Sequence, residues 1–192
     1  MRLAWYAPLL LIPRGCAQHH IDADVRKWIS MPGIQLRWPA RFARLELLAT
    51  YREFRTLYYY RLRRTDGIAR ALAIVGGIFY PGERTLFLSC PDIGPGLFIQ
   101  HGFATIVVAR HLGADCWINQ QVTVGFRESG EAHGPWIGDS VQIGAGAKVL
   151  GDIEIGDDAR IGANAVVLTD VPAGHTAVGV PARLLPPRCD GT

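Results

Sequence analysis

The stretch 137–167, IGDSVQIGAGAKVLGDIEIGDDARIGANAVV, decides the fold of this chain. Aliphatic residues recur in it at every sixth position, and Gly follows most of them directly or one residue later. The members of this series are Ile137, Ile143, Val149, Ile155, Ile161 and Val167. A period of six fits neither the 3.6 residues of a helical turn nor the alternation of a strand. It is typical of a parallel β-helix, in which each hexad supplies one short strand and one turn and the aliphatic side chains form a buried column.

The same spacing extends towards the N-terminus with two interruptions. Earlier members are Ile93, Ile99, Ile106, Leu112, Ile118 and Val124, with one extra residue between Ile99 and Ile106. The segment 126–135, FRESGEAHGP, shifts the frame by one before the series restarts at Ile137. A charged, Gly-containing insertion between regular coils is expected to form an external loop, and loops on rigid scaffolds often carry binding groups. The repeats therefore extend from about Ile93 to about Pro172.

Length and composition predict how the rest of the chain is organised. With 192 residues, 49% of them hydrophobic, the chain suits one repeat domain with a smaller N-terminal part. We expect a mostly helical region over 1–85, a β-helix domain over 86–175 and a closing segment over 176–192. The fold class is mainly β, with a small α-helical N-terminal domain.

Charge is divided unevenly between the two parts of the chain. Residues 1–70 hold 13 Lys and Arg against 5 Asp and Glu, and the remainder has a net charge of −5. The basic part is either a solvated helical surface or a surface for anionic partners such as membrane lipid, a nucleotide-sugar or an acidic polymer. Nothing in the pattern indicates a nucleic-acid partner.

Two segments of the basic part have helical character. The segment 41–64 lacks Gly and Pro and reads as one helix, whose aromatic stripe is expected to pack against its own domain rather than on a membrane. The apolar segment 68–79 is too short to span a bilayer.

Targeting signals are weak. The apolar run 9–12 is brief and is followed by Pro13 and Arg14, which is poor for a signal peptide. The four cysteines lie far apart in the sequence, as is typical of thiols in a reducing compartment. We therefore expect a cytoplasmic protein, with peripheral contact to the inner membrane face through the basic N-terminal region as an additional option.

Three of the six histidines, His101, His111 and His133, lie within the repeat region or its insertion. His101 directly follows the Ile99 hexad, so its side chain is expected at a corner of the coil. An imidazole exchanges protons near neutral pH and can act as the base that activates a hydroxyl. The alternative is a surface histidine hydrated by water. His133, in the insertion, is either a second polar contact for a substrate or a solubilising loop residue.

From Ile93 to Leu185 the chain resembles the hexapeptide-repeat acyltransferases. The similarity is to the serine acetyltransferase branch, and more closely to its relatives in exopolysaccharide and capsule gene clusters. The matching segments are IGPGLFIQH at 93–101, LGADCWINQQVTVG at 112–125, the repeats at 137–172 and AVGVPARLL at 177–185. The resemblance implies a left-handed β-helix, a homotrimer with active sites between neighbouring prisms, and transfer of an acetyl group from acetyl-coenzyme A to a hydroxyl without a metal.

The resemblance also implies roles for individual residues. His101 matches the catalytic histidine and would act as general base, while backbone N–H groups near Gly125 would stabilise the oxyanion. The substrate side would include Gln100, His133 and Trp136. Residues expected to contact the coenzyme are Gly125, Gly144, Ala145, Lys148, Arg160, Ala163 and Arg183. The cations among them would offset the coenzyme's phosphates, or would simply be solvated surface charges.

Two departures from the serine-specific enzymes bear on the acceptor. Gln100 stands where those enzymes have an Asp directly before the catalytic His, and Leu86 stands where they have another Asp that orients the imidazole. The first Asp would bind the amino group of serine, so its loss favours a saccharide acceptor in exopolysaccharide or capsule biosynthesis. Three alternatives stay open: a serine O-acetyltransferase of cysteine biosynthesis, a non-catalytic trimeric β-helix scaffold, and an acyltransferase that moves a longer acyl group.

Overall fold

The protein is described by a computed structural model, which covers residues 6, 17–65, 67–128, 131 and 133–187. The chain divides into two compact units, Met1–Arg84 and Thr85–Thr192. The first is helical and is called here the helical unit. The second consists of short strands and is called the β-helix unit.

The described residues of the helical unit form four α-helices and one 3-10 turn. They are α1 (Ala17–Ser30), the 3-10 turn Ala40–Phe42, α2 (Ala43–Thr50), α3 (Arg52–Arg63) and α4 (Ile68–Phe79). Trp28 of α1 is buried against Phe54 of α3, with ring centroids 5.2 Å apart in an edge-on arrangement. Among the described residues, no helix has both the length and the hydropathy needed to cross a bilayer.

The prediction of one continuous helix over 41–64 is wrong. Tyr51 adopts an extended conformation, with φ −105° and ψ 112°, and separates α2 from α3. The carbonyl group of Leu48 near the break accepts a hydrogen bond from the guanidinium of Arg55, which also donates to the carbonyl of Pro81 at 3.0 Å. Because an arginine side chain from the next helix replaces the missing helical bond, the break needs neither Gly nor Pro. The aromatic stripe of α3 is buried within its own unit, as predicted.

The β-helix unit consists of three sheets whose strands come from successive coils. The five-stranded sheet contains β1 (Leu86–Leu88), β3 (Thr105–Val107), β6 (Thr123–Gly125), β9 (Lys148–Leu150) and β12 (Val166–Val167). The three-stranded sheet contains β4 (His111–Leu112), β7 (Trp136–Ile137) and β10 (Glu154–Ile155). The six-stranded sheet contains β2 (Phe98–Ile99), β5 (Trp117–Ile118), β8 (Gln142–Ile143), β11 (Arg160–Ile161), β13 (Thr176–Val178) and β14 (Arg183–Leu185). All neighbouring strands are parallel except β13 and β14, so the predicted parallel β-helix is confirmed.

Coil length locates the insertion. Val149 pairs with Val167 across one coil of 18 residues, whereas Leu112 pairs with Ile137, which lies 25 residues further along the chain. The difference of seven residues is taken up by the segment 126–135, between β6 and β7. This segment therefore leaves the prism at the edge between the five-stranded and three-stranded sheets, called here the loop edge.

One member of the predicted aliphatic series is wrong. Ile106 is 44% exposed, and its neighbour Val107, which is 0% exposed, points into the column opposite Val124. Val107 follows Ile99 by eight positions. In the later coils the equivalent spacing, for example from Ile118 to Val124, is six positions. The turn that follows β2 is therefore two residues longer than the equivalent turns of later coils, and it is the turn that contains His101.

Candidate functional site

His101 lies in the longest of the turns that connect the six-stranded sheet to the five-stranded sheet. This turn connects the six-stranded sheet to the five-stranded sheet, and the edge along which such turns stack is called here the His101 edge. His101 has a φ of 57°, in the left-handed region that non-glycine residues rarely adopt. Ala104 in the same turn has a φ of 51°. Gln121 and Asn164, in later turns of the same edge, have φ values of 60° and 58°, so this conformation belongs to the turn geometry of the coils.

The imidazole of His101 is exposed to solvent. Within the ranges that the structure describes, its side chain has no hydrogen-bond or ion-pair partner. The backbone next to it is fixed, because the N–H of Gln100 donates to the carbonyl of Ile118 on the next coil at 2.9 Å. His101 is thus an accessible imidazole on a rigid support.

Small residues follow His101 along the same edge. The N–H of Gly144 donates to the carbonyl of Ile161 at 2.8 Å, and the N–H of Asn164 donates to the carbonyl of Ala145 at 2.8 Å. A Cβ atom at Gly144 would lie 2.7 Å from the backbone nitrogen of Ala163, so only Gly permits this close approach. With strands about 4.8 Å apart, the Gly144 level lies about 10 Å from the His101 level. Three of the predicted coenzyme contacts therefore share one edge with His101.

Lys148 reaches the same edge. Its Nζ atom donates to the carbonyl of Gln121 at 2.7 Å, and the N–H of Gln121 donates to the carbonyl of Phe103 at 3.0 Å. Phe103 lies two residues after His101, so the ammonium group is one coil away from the His101 turn. A positive charge thus stands beside the small residues.

Two further predicted cations lie on the six-stranded sheet. Arg160 is on β11 and Arg183 is on β14, and both side chains are exposed. Arg160 pairs in register with Thr176 on β13, which pairs with Leu185 on β14. These guanidinium groups are therefore at the C-terminal coils of the sheet that leads into the His101 edge.

The remaining predicted site residues lie on the loop edge. Gly125 ends β6 in a buried position, and its carbonyl accepts a hydrogen bond from the N–H of Gly151 at 2.9 Å. His133 is an exposed residue of the insertion. Trp136 begins β7 and stacks on His111, with ring centroids 5.1 Å apart and an angle of 16° between the rings. In one chain the width of the five-stranded sheet separates these groups from His101.

The pairing of His111 with Asp92 was not predicted from the sequence. Nδ1 of His111 lies 2.9 Å from a carboxylate oxygen of Asp92. Ile93 and Leu112 are both members of the aliphatic series, and the structure bridges them across one coil. Asp92 and His111, which directly precede them, therefore lie side by side. Asp92 therefore contacts His111 on the three-stranded sheet.

The position expected to orient His101 has no acidic group. Leu86 is a buried residue of β1 in the five-stranded sheet. In the described part of the chain no carboxylate contacts the His101 imidazole, and no three His, Cys, Asp or Glu side chains cluster as a metal site would require. The His101 edge therefore carries an accessible imidazole and a row of small residues, with cations nearby. An accessible imidazole can act as a general base, and exposed cations can pair with an anionic ligand.

A family model described as bacterial transferase hexapeptide (six repeats) matches residues 134–169. Among curated proteins, the serine acetyltransferase of Helicobacter pylori (strain J99) is 42% identical over 161 residues, which are 77% of this chain and 89% of that protein. The serine acetyltransferase of Synechocystis sp. is 51% identical over 173 residues, 86% of this chain and 62% of that protein. That of Synechococcus elongatus is 38% identical, and the match covers 63% of it. The chain thus spans less than two thirds of the two cyanobacterial relatives.

The chain is also similar to solved structures of serine acetyltransferases. The soybean serine acetyltransferase apoenzyme is 30% identical with a TM-score of 0.64, and the match covers 88% of this chain and 69% of that chain. The Neisseria gonorrhoeae serine acetyltransferase in complex with serine is 28% identical with a TM-score of 0.65, over the same shares of the two chains.

Proposed function

The chain belongs to the serine acetyltransferase family of hexapeptide-repeat transferases, with its left-handed β-helix, and we propose that it transfers an acetyl group from acetyl-coenzyme A to the hydroxyl of L-serine. The observation that carries the proposal is the similarity to the Helicobacter pylori enzyme, because it extends over 89% of that protein. The saccharide acceptor, expected first from the sequence, has less support than serine. No relative reported above is named for a saccharide reaction.

In the proposed mechanism His101 is the general base. Its imidazole takes the proton from the acceptor hydroxyl while the oxygen attacks the thioester carbonyl. The tetrahedral intermediate needs hydrogen-bond donors for its oxyanion, and backbone N–H groups are the proposed source. When the intermediate collapses, the C–S bond breaks and the imidazolium returns its proton to the departing thiolate. No covalent enzyme intermediate is required.

The His101 edge is the proposed site for the donor. Gly144, Ala145 and Ala163 leave room for an extended chain along the coils, because their side chains are absent or short. Lys148 lies on this edge, and Arg160 and Arg183 lie on the sheet that leads into it, so these cations are proposed to offset the phosphates of the coenzyme. Acetyl-coenzyme A is a co-substrate here and supplies the activated acetyl group.

The separation of the two edges supports a homotrimer. His133, Trp136 and Gly125 are on the loop edge, whereas the base and the donor groove are on the His101 edge. If all these residues serve one reaction, a second copy has to bring its loop edge to the first copy's His101 edge. In a closed ring of three prisms each copy would provide one edge of each kind, which gives three equivalent sites.

A saccharide hydroxyl is the second candidate acceptor. It is favoured by Gln100, a neutral residue at the position where serine-specific relatives have the Asp expected to bind the amino group. A sugar has no ammonium group and would not need that Asp. In this case the exopolysaccharide or capsule context suggested by the sequence would apply.

A thiol-release assay with acetyl-coenzyme A separates these candidates. The acceptor panel contains L-serine, nucleotide-sugars and oligosaccharides, and we expect turnover with L-serine. Turnover with a saccharide alone would replace the proposal by the second candidate. Absence of turnover with every acceptor would favour the non-catalytic scaffold.

Variants then test the role of His101. His101→Ala should lower kcat by a factor of about 10² to 10⁴, the usual contribution of a positioned base. His175→Ala is the matched control, because His175 is a half-buried histidine of the same unit whose Nδ1 contacts the carbonyl of Ala173. An unchanged rate in His101→Ala would remove the general-base assignment.

Gln100→Asp should raise kcat/KM for serine if an acidic residue improves capture of the amino group.

A further inference from the structure

Helix α4 has its small residues inside and its large apolar residues outside. The buried residues are Ala69, Ala73 and Gly76, which lie on one face at helical spacing. The exposed residues are Ile68, Leu72, Ile74, Val75, Ile78 and Phe79, and the last two are each 72% exposed. A helix that only completed its own domain would bury its large apolar side chains. The outer face of α4 therefore has the composition of a surface that is covered by something else.

The exposed apolar face is wide and short. At 100° per residue the six large side chains and Ala71 cover about 160° of the helix circumference without a polar interruption. Twelve residues give a length of about 18 Å, so the helix can lie flat on a surface but cannot cross a bilayer. An exposed continuous apolar patch of this kind is typical of a protein or membrane contact.

Arginines border this face. Arg70 lies next to it on α4 and is exposed. The guanidinium of Arg63, from the end of α3, lies beside Gly77, with Nη2 3.5 Å from the position that a Cβ on Gly77 would occupy. Arg64 is also exposed and packs over the ring of Tyr60 at 5.0 Å. Between residues 61 and 82 the sequence contains one acidic residue, Asp66.

We propose that the outer face of α4 binds a membrane surface that contains anionic lipid. The apolar side chains enter the boundary between headgroups and acyl chains, and Arg63, Arg64 and Arg70 meet the lipid phosphates at its border. The inference is independent of the acetyl-transfer proposal, since it uses no residue of the His101 edge.

Charge decides between this occupant and a second copy of the helix. Two α4 faces packed on each other would bring the arginines of both copies close together with little acidic charge to neutralise them. An anionic lipid surface would supply phosphates for Arg63 and Arg70 instead. The apolar face and its basic border thus favour the same partner.

Vesicle sedimentation with the full chain tests the proposal. We expect binding to phosphatidylcholine vesicles that contain phosphatidylglycerol, weaker binding to phosphatidylcholine alone, and a loss of binding as salt is raised. The double variant Ile78→Ser/Phe79→Ser should weaken binding about tenfold or more, because its apolar anchors are removed. The double variant Arg63→Gln/Arg70→Gln should weaken binding to the anionic vesicles by about fivefold per arginine.

The matched control is Leu184→Ser/Leu185→Ser, which removes two exposed apolar side chains, 43% and 44% exposed, from the other unit. This control should bind vesicles as the unchanged chain does. Light scattering after size exclusion gives the oligomeric mass of each variant. The proposal is wrong if the unchanged chain does not sediment with anionic vesicles, or if Ile78→Ser/Phe79→Ser binds them normally. It is also wrong if that variant lowers the oligomeric mass while the unchanged chain ignores vesicles, because α4 would then contact protein.

Discussion

Among the described residues, the β-helix unit buries mainly small and aliphatic side chains, whereas the helical unit buries four charged residues. In the β-helix unit the column formed by residues such as Ile118, Ile143 and Ile161 repeats the same contact in every coil. In the helical unit the buried charged residues are Asp24, Glu46, Arg55 and Arg61. The first core is produced by one local pattern repeated many times, and the second depends on particular partners.

Each buried charge in the helical unit has its own partner. Arg61 pairs with Asp24, 37 positions away, at 2.9 Å between Nε and a carboxylate oxygen. The carboxylate of Glu46 accepts hydrogen bonds from the backbone N–H groups of Arg37 at 2.7 Å and Trp38 at 3.0 Å. A buried charge is costly unless it is paired in this way. The helical unit is therefore more sensitive to single polar substitutions than the β-helix unit.

The strongest test of this difference is Asp24→Ala. The substitution leaves the guanidinium of Arg61, 3% exposed, without its buried carboxylate. We expect a loss of about 3 to 5 kcal/mol in the free energy of unfolding of the helical unit. Urea unfolding followed by helix ellipticity measures the loss.

Asp22→Ala is the control for this experiment. Asp22 pairs with Arg44, and its side chain is 40% exposed, so its removal should cost about 1 kcal/mol or less. Equal losses in the two variants would mean that burial of the ion pair does not distinguish the helical unit from an ordinary charged surface.

The same difference explains how much the sequence predicted. The hexad spacing predicted the column and the position of the external loop, because each coil obeys a rule that can be read within six residues. The break at Tyr51 was missed, because it depends on Arg55 donating to a carbonyl of the preceding helix. The sequence predicted Ile106 instead of Val107 as the buried member of the column. The error arose because the His101 turn contains two extra residues, and the hexad spacing does not predict the length of a turn.

The candidate site followed the same rule. The sequence predicted a site at His101 and the small residues that follow it, and the structure places them on one edge because they occupy equivalent turns of successive coils. It did not separate His133 and Trp136 from them, since spacing along the chain does not state which edge a turn occupies. The contact of Asp92 with His111 likewise required the register of two coils.

Alkaline unfolding sharpens the comparison, because all six tyrosines lie in the helical unit. Burial raises the pKa of Tyr58 and of Tyr59 from 10.0 to about 12. Above pH 10 the unfolded chain loses these protons while the folded chain keeps them, so the contribution of Tyr58 and Tyr59 to stability is constant below pH 10 and falls between pH 10 and 12. We expect a loss of about 2 kcal/mol per tyrosine over this range, and helix ellipticity should decay before the β-helix unfolds.

Tyr58→Phe/Tyr59→Phe removes these two titrating groups and should reduce this pH dependence to the part that remains from Tyr51, whose pKa is also raised by burial. The variant also loses the hydrogen bond from the Tyr59 hydroxyl to the carbonyl of Tyr80, 3.0 Å long, so its stability at neutral pH is the baseline for the comparison. A slope between pH 10 and 12 that equals that of the unchanged chain would assign the alkaline loss to other groups.

The smallest expected effect tests whether the column is uniform. Ile143→Val, Ile155→Val and Ile161→Val each remove one methylene from a residue that is at most 3% exposed. Each should lower the free energy of unfolding of the β-helix unit by about 0.5 to 1.5 kcal/mol. Because the three sites repeat the same packing, the losses should agree within about 0.5 kcal/mol, as measured by urea unfolding.

Gln142→Ala is the control, because it changes an exposed residue on the same strand as Ile143. Its stability should stay within about 0.5 kcal/mol of the unchanged chain. A loss at Ile161 several times that at Ile143 would mean that the coils are held by individual contacts, as in the helical unit.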